Sequence, residues 1–328
     1  MTATSRPAHL TWDTLRPDDA EQLCSLMNDI GEADDTGEII SLESTREFLG
    51  TPGTDLARES IAVREGDRLV GYGCVDVAAQ PDREGRARCR LPGGVHPSRR
   101  RRGIGGRILD AQQEIAERLA ASEHPGRAGH MHVGGGLEGA DVRSLLTARG
   151  FAPVRSFLEM LRELPGEQVP PPAPPIAGID LRTPGDADSE SVHAAHVAAF
   201  ADHWGSAPSS PERWAHLWSA STRRPEFSSV AVDGSGRVLA YVMTDVWEDR
   251  RLYIALVGTR PEARGRGIGT AVLARTLRLA AASGEFDEVQ LEVDGESLTG
   301  ATRLYERLGF VRDKQFTLYS KDLQKEAV

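Results

Sequence analysis

The sequence predicts an α/β protein built twice over, each copy a mixed, mostly antiparallel central sheet flanked by helices. Three observations carry that expectation. A proline-rich stretch divides the chain near its midpoint, two motifs recur in the same order on either side of it, and each side alternates strand-like and helix-like segments in the same succession.

The dividing stretch, Leu164–Ile179, reads LPGEQVPPPAPPIAGI and holds six prolines. Proline fixes φ and lacks a backbone donor, so the stretch is expected to be extended and to lie outside any sheet or helix interior. The expected organisation is an N-terminal domain over 1–164, a linker over 165–178 and a C-terminal domain over 179–328. The first recurring motif is VHPSRRRRGIGGRIL at Val95–Leu109 and TRPEARGRGIGTAVL at Thr259–Leu273. The second is LLTARGF at Leu145–Phe151 and LYERLGF at Leu304–Phe310.

Each copy opens with a helix-like segment, Ala20–Ile30 or Asp188–Phe200. Two apolar runs around a turn follow, within Glu59–Val77 and Phe227–Trp247, which is the spacing of an antiparallel hairpin. A strand then leads into each glycine motif, Ala87–Leu91 or Leu252–Val257. An amphipathic helix comes next, with Ile104, Ile108, Leu109, Ile115 and Leu119 in one copy and Ile268, Val272, Leu273, Leu277 and Ala280 in the other. The second copy closes with a strand at Glu288–Val293, a helix ending at Gly309 and a last strand at Phe316–Tyr319.

Composition narrows the function. The chain has 328 residues, 39% of them apolar and 27% charged, enough for two sizeable cores. The start, MTATSRPAHLTW, lacks the apolar core of a secretory signal, and no apolar run approaches the roughly 20 residues of a membrane span. Cys24, Cys74 and Cys89 have no metal-ligand spacing and cannot all pair, so the expected setting is a reducing cytoplasm, without metal and without membrane. A net charge of −10 argues against a dedicated nucleic-acid binder.

The chemistry gathers at ARGRGIG, Ala263–Gly269, between a strand and a helix. Gly265, Gly267 and Gly269 let the backbone turn without a Cβ in the way. The helix beginning near Ile268 leaves its first amides unpaired and points its positive end outward, a site suited to a pyrophosphate. Arg264 and Arg266 add charge. A Lys-Ser/Thr after the last glycine is missing, which disfavours triphosphate hydrolysis. The dinucleotide fingerprint is not matched in its βαβ context either.

An Arg-x-x-Gly-x-Gly turn between strand and helix, followed by Leu-Tyr-x-x-x-Gly-Phe, resembles the GNAT superfamily of acetyl-CoA-dependent N-acyltransferases. The duplication resembles tandem GNAT proteins, among them the mycothiol synthases. The resemblance implies that the coenzyme A pyrophosphate meets the backbone of Arg264, Gly265, Arg266, Gly267, Ile268, Gly269 and Thr270. It also implies that the pantetheine arm runs beside the strand at Leu256, Val257 and Thr259, adding to it by main-chain hydrogen bonds. A backbone amide there would polarise the acetyl carbonyl. Tyr305 occupies the position of the tyrosine that protonates the departing thiolate, a role a phenol of reference pKa about 10 can fill at neutral pH. Helix packing is the alternative use of that side chain.

The copies are unequal. Leu146 stands where Tyr305 stands in the second copy, so the first copy is expected to be catalytically degenerate. Its turn keeps Val95, Arg100, Arg102, Gly103 and Gly105, which leaves coenzyme A binding open. The run Arg99–Arg102 reads as a phosphate clamp, a nucleic-acid patch or a solvated turn. Many GNAT enzymes place a glutamate eight residues before the proline of the motif; here Tyr253 and Cys89 occupy those places. The base is then Glu292, Asp245, Glu248 or water, and the same departure weighs against mycothiol synthesis itself. The segment Phe200–Trp218 offers His203 and Trp204, which Gly205 and Pro208 place in a loop, as acceptor-binding candidates alongside Tyr253. Trp214 and Trp218, four residues apart, are expected to face the core.

The resulting expectation is acetyl transfer from acetyl-CoA to a primary amine by direct attack, carried out by the C-terminal copy acting as a monomer or homodimer. The acceptor is a small molecule or a protein amine. A non-catalytic acyl-CoA sensor is the alternative, and a nucleic-acid-binding module using Arg99–Arg102 a third reading.

Overall fold

A computed structural model of the chain describes residues 9–37, 39–164, 170–171, 174–201, 204, 210–296 and 300–323. Two compact units emerge: Met1–Val154 with Leu318–Val328, and Arg155–Thr317.

The chain begins with β1 (Leu10–Asp13), α1 (Ala20–Ala33), α2 (Leu42–Leu49), α3 (Leu56–Glu59), β2 (Ser60–Glu65), β3 (Arg68–Cys74), β4 (Asp76–Val77), β5 (Ala87–Arg90) and β6 (Gly93–Val95). There follow α4 (Ile104–Glu123), β7 (Gly129–Gly134), α5 (Asp141–Ala148) and β8 (Ala152–Glu163). The second half contributes β9 (Ile179–Arg182), α6 (Ser189–Phe200), α7 (Pro211–Trp218), β10 (Ser229–Asp233), β11 (Val238–Glu248) and β12 (Arg251–Thr259). It ends with α8 (Ile268–Ser283), β13 (Glu288–Asp294), α9 (Ala301–Arg307) and β14 (Val311–Asp322). Both expected hairpins are present, β2 with β3 and β10 with β11, antiparallel in each case.

In the first unit one sheet orders β1-β2-β3-β6, and β4, β5 and β7 lie side by side with residues 318–322 of β14 beyond them. The second unit orders β8-β13-β12-β11-β10-β9, with residues 157–163 of β8 on β13. These limits differ from those suggested by the prolines. The last strand encoded by each half completes the sheet of the unit built from the other half. Sequence proximity could not show this, because pairing Phe157–Glu163 with β13 closes a loop of more than a hundred residues.

Helix α8 buries Ile268, Ala271, Val272, Leu277 and Ala280 along one face, at the spacing the sequence shows. Against it lie Leu252 and Ile254 of β12, Val289, Leu291 and Val293 of β13, and Leu158 and Met160 of β8. On the opposite face of the sheet, Val192 and Ala195 of α6 and Trp214 of α7 pack on Val230, Tyr241 and Met243. Trp214 is 3% exposed, as its spacing with Trp218 suggests.

Candidate active site

Two strands part where the glycine motif begins. Parallel pairing of β12 with β13 runs from Arg251–Glu288 to Ile254–Leu291. Beyond it β12 continues to Thr259 and β13 to Asp294. The parting coincides with a bulge. On the other edge of β12, Met243 faces Leu256 and Thr244 faces Ile254, so Ala255 is the extra residue. A bulge bends its strand and ends regular pairing. It leaves the edge at 255–259 turned toward a gap into which an extended chain could add.

The gap leads to the turn. Gly265 and Gly267 have φ of +73° and +76°, and a Cβ built on either meets nothing within 4 Å. Only glycine takes that conformation without strain, and the space in front of the turn is open. Gly267 is the residue before α8, and the amide of Ala271 makes the first helical bond back to it, at 3.0 Å. The amides of Ile268, Gly269 and Thr270 therefore precede the helical ladder and form an anion cradle at a helix of 16 residues. Gly269 is needed for a different reason: a Cβ there would stand 2.8 Å from Thr259 Oγ1.

The arginines of the turn do not share one role. Arg266 is exposed beside the cradle. The Arg264 guanidinium instead turns inward, donating to the carbonyls of Thr259 (3.3 Å) and Ala199 (2.9 Å). It ties the end of β12 to the last turn of α6, and the charge read as a phosphate ligand is a brace. The first unit repeats the device. Arg100 donates to the Val95 carbonyl at 3.1 Å and forks onto Asp34 at the end of α1. Arg99 pairs with Glu65, while Arg102 is exposed. Gly103 keeps φ at +81°. A Cβ on Gly105 would touch Leu145 and Val95 at 3.6 Å.

Tyr305 lies on α9 and is 7% exposed. It belongs to the core cluster that includes Ile254 and Leu291, the last register pair before the strands part. Its ring meets Phe310 edge-on, centroids 6.0 Å apart. Burial pushes its hydroxyl up to about 12, so it is a neutral donor at physiological pH. Leu146, its counterpart, is wholly buried in the core of the first unit.

Glu292 is exposed on β13, just past the last β12–β13 pair. Across the sheet its register partner is Glu159 of β8, 7% exposed. Burial, together with a hydrogen bond to Asp313, raises the Glu159 carboxyl to about 7, opposed by Lys314 and Arg251. Sequence reading missed Glu159 because its strand is encoded in the other half. Asp245 and Glu248 are held in ion pairs. Asp245 is buried on Arg223 at 2.9 Å, and Glu248 pairs with Arg251 at 2.8 Å. Burial holds the Asp245 carboxyl above its ordinary range despite Arg223.

Tyr253 packs at a tilt against Trp247 with centroids 4.3 Å apart, on the face opposite Leu252 and Ile254. Equating Tyr253 with Cys89 fails: Cys89 is fully buried in the core of the first unit, among residues of α4. The Ala255 bulge puts β12 one residue out of phase with the first copy, whose strand breaks at Pro92 between β5 and β6. Trp204 lies under the Arg155 guanidinium at 5.2 Å, and Arg155 in turn grips Asp294 (2.9 Å) and Glu296 (3.1 Å). His203 lies outside the described residues. Among the described residues no group of three His, Cys, Asp or Glu side chains is placed to hold a metal, and no helix is long and apolar enough to cross a membrane.

A parted strand pair leading to a glycine-turn anion cradle, with a buried tyrosine in the adjoining core, is an arrangement that suits an acyltransferase. The model of the acetyltransferase (GNAT) family matches residues 190–310. A mycothiol acetyltransferase of Actinosynnema mirum is 31% identical over 325 residues, 95% of this chain and 99% of the relative. One from Mycolicibacterium paratuberculosis is 30% identical over 94% of this chain and 96% of its own. A solved GCN5-related N-acetyltransferase from Sphaerobacter thermophilus superposes with TM-score 0.71 and 26% identity, covering 98% of both chains. A tandem GNAT protein from the clavulanic acid biosynthesis pathway, 18% identical, shares the fold with TM-score 0.68 over 97% of this chain and all of its own. The chain belongs to the GNAT acetyltransferase family and is an N-acetyltransferase of the tandem kind.

Proposed function

We propose that the C-terminal unit transfers an acetyl group from acetyl-CoA to the primary amine of a small molecule, of the kind the mycothiol acetyltransferases act on. The observation that carries this is the parting of β12 and β13 beyond Ile254–Leu291, directly ahead of the Gly265–Gly267 turn. Acetyl-CoA supplies an activated thioester. The edge at Leu256, Val257 and Thr259 holds the pantetheine amides, and the cradle amides of Ile268, Gly269 and Thr270 hold the pyrophosphate beside Arg266. A backbone amide of the same edge orients the acetyl carbonyl. Tyr305 keeps its proton until sulfur departs and donates it then. Glu292 receives the amine proton on the face away from α8. Tyr253 with Trp247, and Trp204, line the acceptor's approach.

The first unit has a leucine where the acid belongs, so chemistry there is not expected. Acyl-CoA binding by that unit remains the second reading, favoured by Arg101 and Gly103, which hold φ at +60° and +81° as Gly265 and Gly267 hold theirs. Calorimetric titration of acetyl-CoA tests both. Gly267→Glu, which puts bulk and negative charge in the cradle, is expected to abolish binding, and Gly103→Glu to leave it unchanged. One site lost in each variant would make the first unit a live coenzyme A site. No binding by folded wild type would sink the assignment.

A further inference from the structure

Tyr241 of β11 stands directly opposite Gly258, in the middle of the edge proposed above to carry the pantetheine arm. Its side chain does not stay over its own strand. A Cβ built on Gly258 would lie within 2.7 Å of Tyr241 Cζ and Oη, so the end of the ring lies over the β12 backbone at Gly258. Tyr241 is fully buried. Its hydroxyl shares a 2.7 Å hydrogen bond with His196 Nδ1 of α6. His196 is wedged between Phe200 (centroids 4.6 Å) and Trp214 (5.4 Å), and Trp214 stacks in turn on His193 at 4.8 Å. Burial, with His193 alongside, lowers His196 to about 4, so the ring is neutral and the hydrogen bond does not change with physiological pH. The phenol therefore has one position.

On the other face of the sheet, Tyr305 belongs to the core cluster that includes Ile254 and Leu291. The two hydroxyls are close enough that Tyr305 helps to raise Tyr241 further. A tyrosine ring thus stands on each face of the sheet near β12, and each is anchored: one by a hydrogen bond into a packed aromatic cluster, the other by the core.

We infer that Tyr241, fixed by His196 and admitted by Gly258, is the wall that limits the acyl group to acetyl and excludes chains of four carbons or more. The inference rests on the acyltransferase reading and deepens it. Tyr241 acts as a specificity residue: it touches the acyl group and takes no part in proton transfer. A rigid pocket discriminates against one extra methylene by about 10- to 200-fold.

The test is calorimetric titration of acetyl-CoA, butyryl-CoA and hexanoyl-CoA, without acceptor. Wild type is expected to bind acetyl-CoA at least about tenfold more tightly than butyryl-CoA, with hexanoyl-CoA weaker still. Tyr241→Phe keeps the ring and is expected to keep the preference. Tyr241→Leu shortens the wall and should bring the three ligands to within about threefold. His196→Ala should relax the preference partway, and it covers the case in which Tyr241→Leu fails to fold. Equal binding of acetyl-CoA and hexanoyl-CoA by wild type overturns the inference and leaves the acyltransferase reading intact. Folded Tyr241→Leu with the full preference overturns it as well. Loss of all acyl-CoA binding in wild type overturns both.

Discussion

Glu159→Gln isolates one buried carboxyl and gives its effect a sign. Glu159 is 7% exposed on β8, facing Glu292 in register, hydrogen-bonded to Asp313 and reached by Lys314 and Arg251. Burial dominates and lifts it from the ordinary 4.5 to about 7. The folded state then holds a proton that the unfolded chain has released. Stability conferred by the protonated form is complete below pH 4.5 and is lost as pH rises through about 7. At about 1.4 kcal/mol per pH unit, the loss is at most about 3.5 kcal/mol, and less where Asp313 shares the proton. Glutamine copies the neutral carboxyl, so the variant's advantage over wild type is expected to be small at pH 5 and to reach its full size by pH 8. Guanidinium unfolding at pH 5, 6, 7 and 8 measures this. Tryptophan fluorescence suits it because Trp204, Trp214, Trp218 and Trp247 all lie in the second unit and only Trp12 in the first. Stability curves that stay parallel across that range would show that the carboxyl is ionised throughout and that desolvation does not govern it.

Other outcomes follow from the same geometry. Tyr305→Phe should lower kcat by about 10²-fold or more while acetyl-CoA affinity, measured by calorimetry, stays within about twofold. Arg264→Ala removes the hydrogen bonds to Thr259 and Ala199 and should destabilise the second unit by about 1.5–3 kcal/mol, read from the guanidinium midpoint. A chain ending at Thr317 loses the five register pairs of Leu318–Asp322 with β7 and the buried Tyr319. Limited proteolysis should then degrade the first unit rapidly and spare the second.

Much of this was legible in the sequence, and the boundary of legibility is physical. The glycine turn, the hairpins and α8 depend on contacts a few residues apart, and local spacing encodes them. Tyr305 was found because its motif is local too. Glu159 was hidden because β8 completes the sheet of the other unit, and no periodicity within Ala152–Glu163 names its partner. Tyr241 and His196 were hidden for a related reason: the side chain reads as an ordinary strand residue until register puts it over Gly258. The bonds of the Arg264 guanidinium to the carbonyls of Thr259 and Ala199 were hidden because the sequence shows only a positive charge beside an anion cradle. Only the path of the side chain shows that the charge serves backbone carbonyls. Tyr253 and Cys89 were equated because an offset counts residues and cannot see the single extra one at Ala255.

Comparison of the two copies separates what the fold requires from what the chemistry requires. Arg100 and Arg264 each donate to the carbonyl five residues back and each secure the end of a helix. Arg101 sits at φ +60°, where the second copy has Gly265 at +73°, so the turn keeps its left-handed residue even at the strain of a side chain. The turn is therefore maintained where no acid follows it, and its presence alone cannot mark a catalytic unit. The neighbours of the gap can. In the first unit Tyr72 again stands opposite a glycine, Gly94, but a Cβ there would meet Ile30 Cδ1 of α1 at 2.7 Å. An aliphatic side chain fills the place that Tyr241 takes over Gly258, and Leu146 replaces Tyr305. The first unit has kept the turn and a tyrosine opposite its glycine, so what sets it apart from the second is Ile30 over that glycine and Leu146 in place of Tyr305.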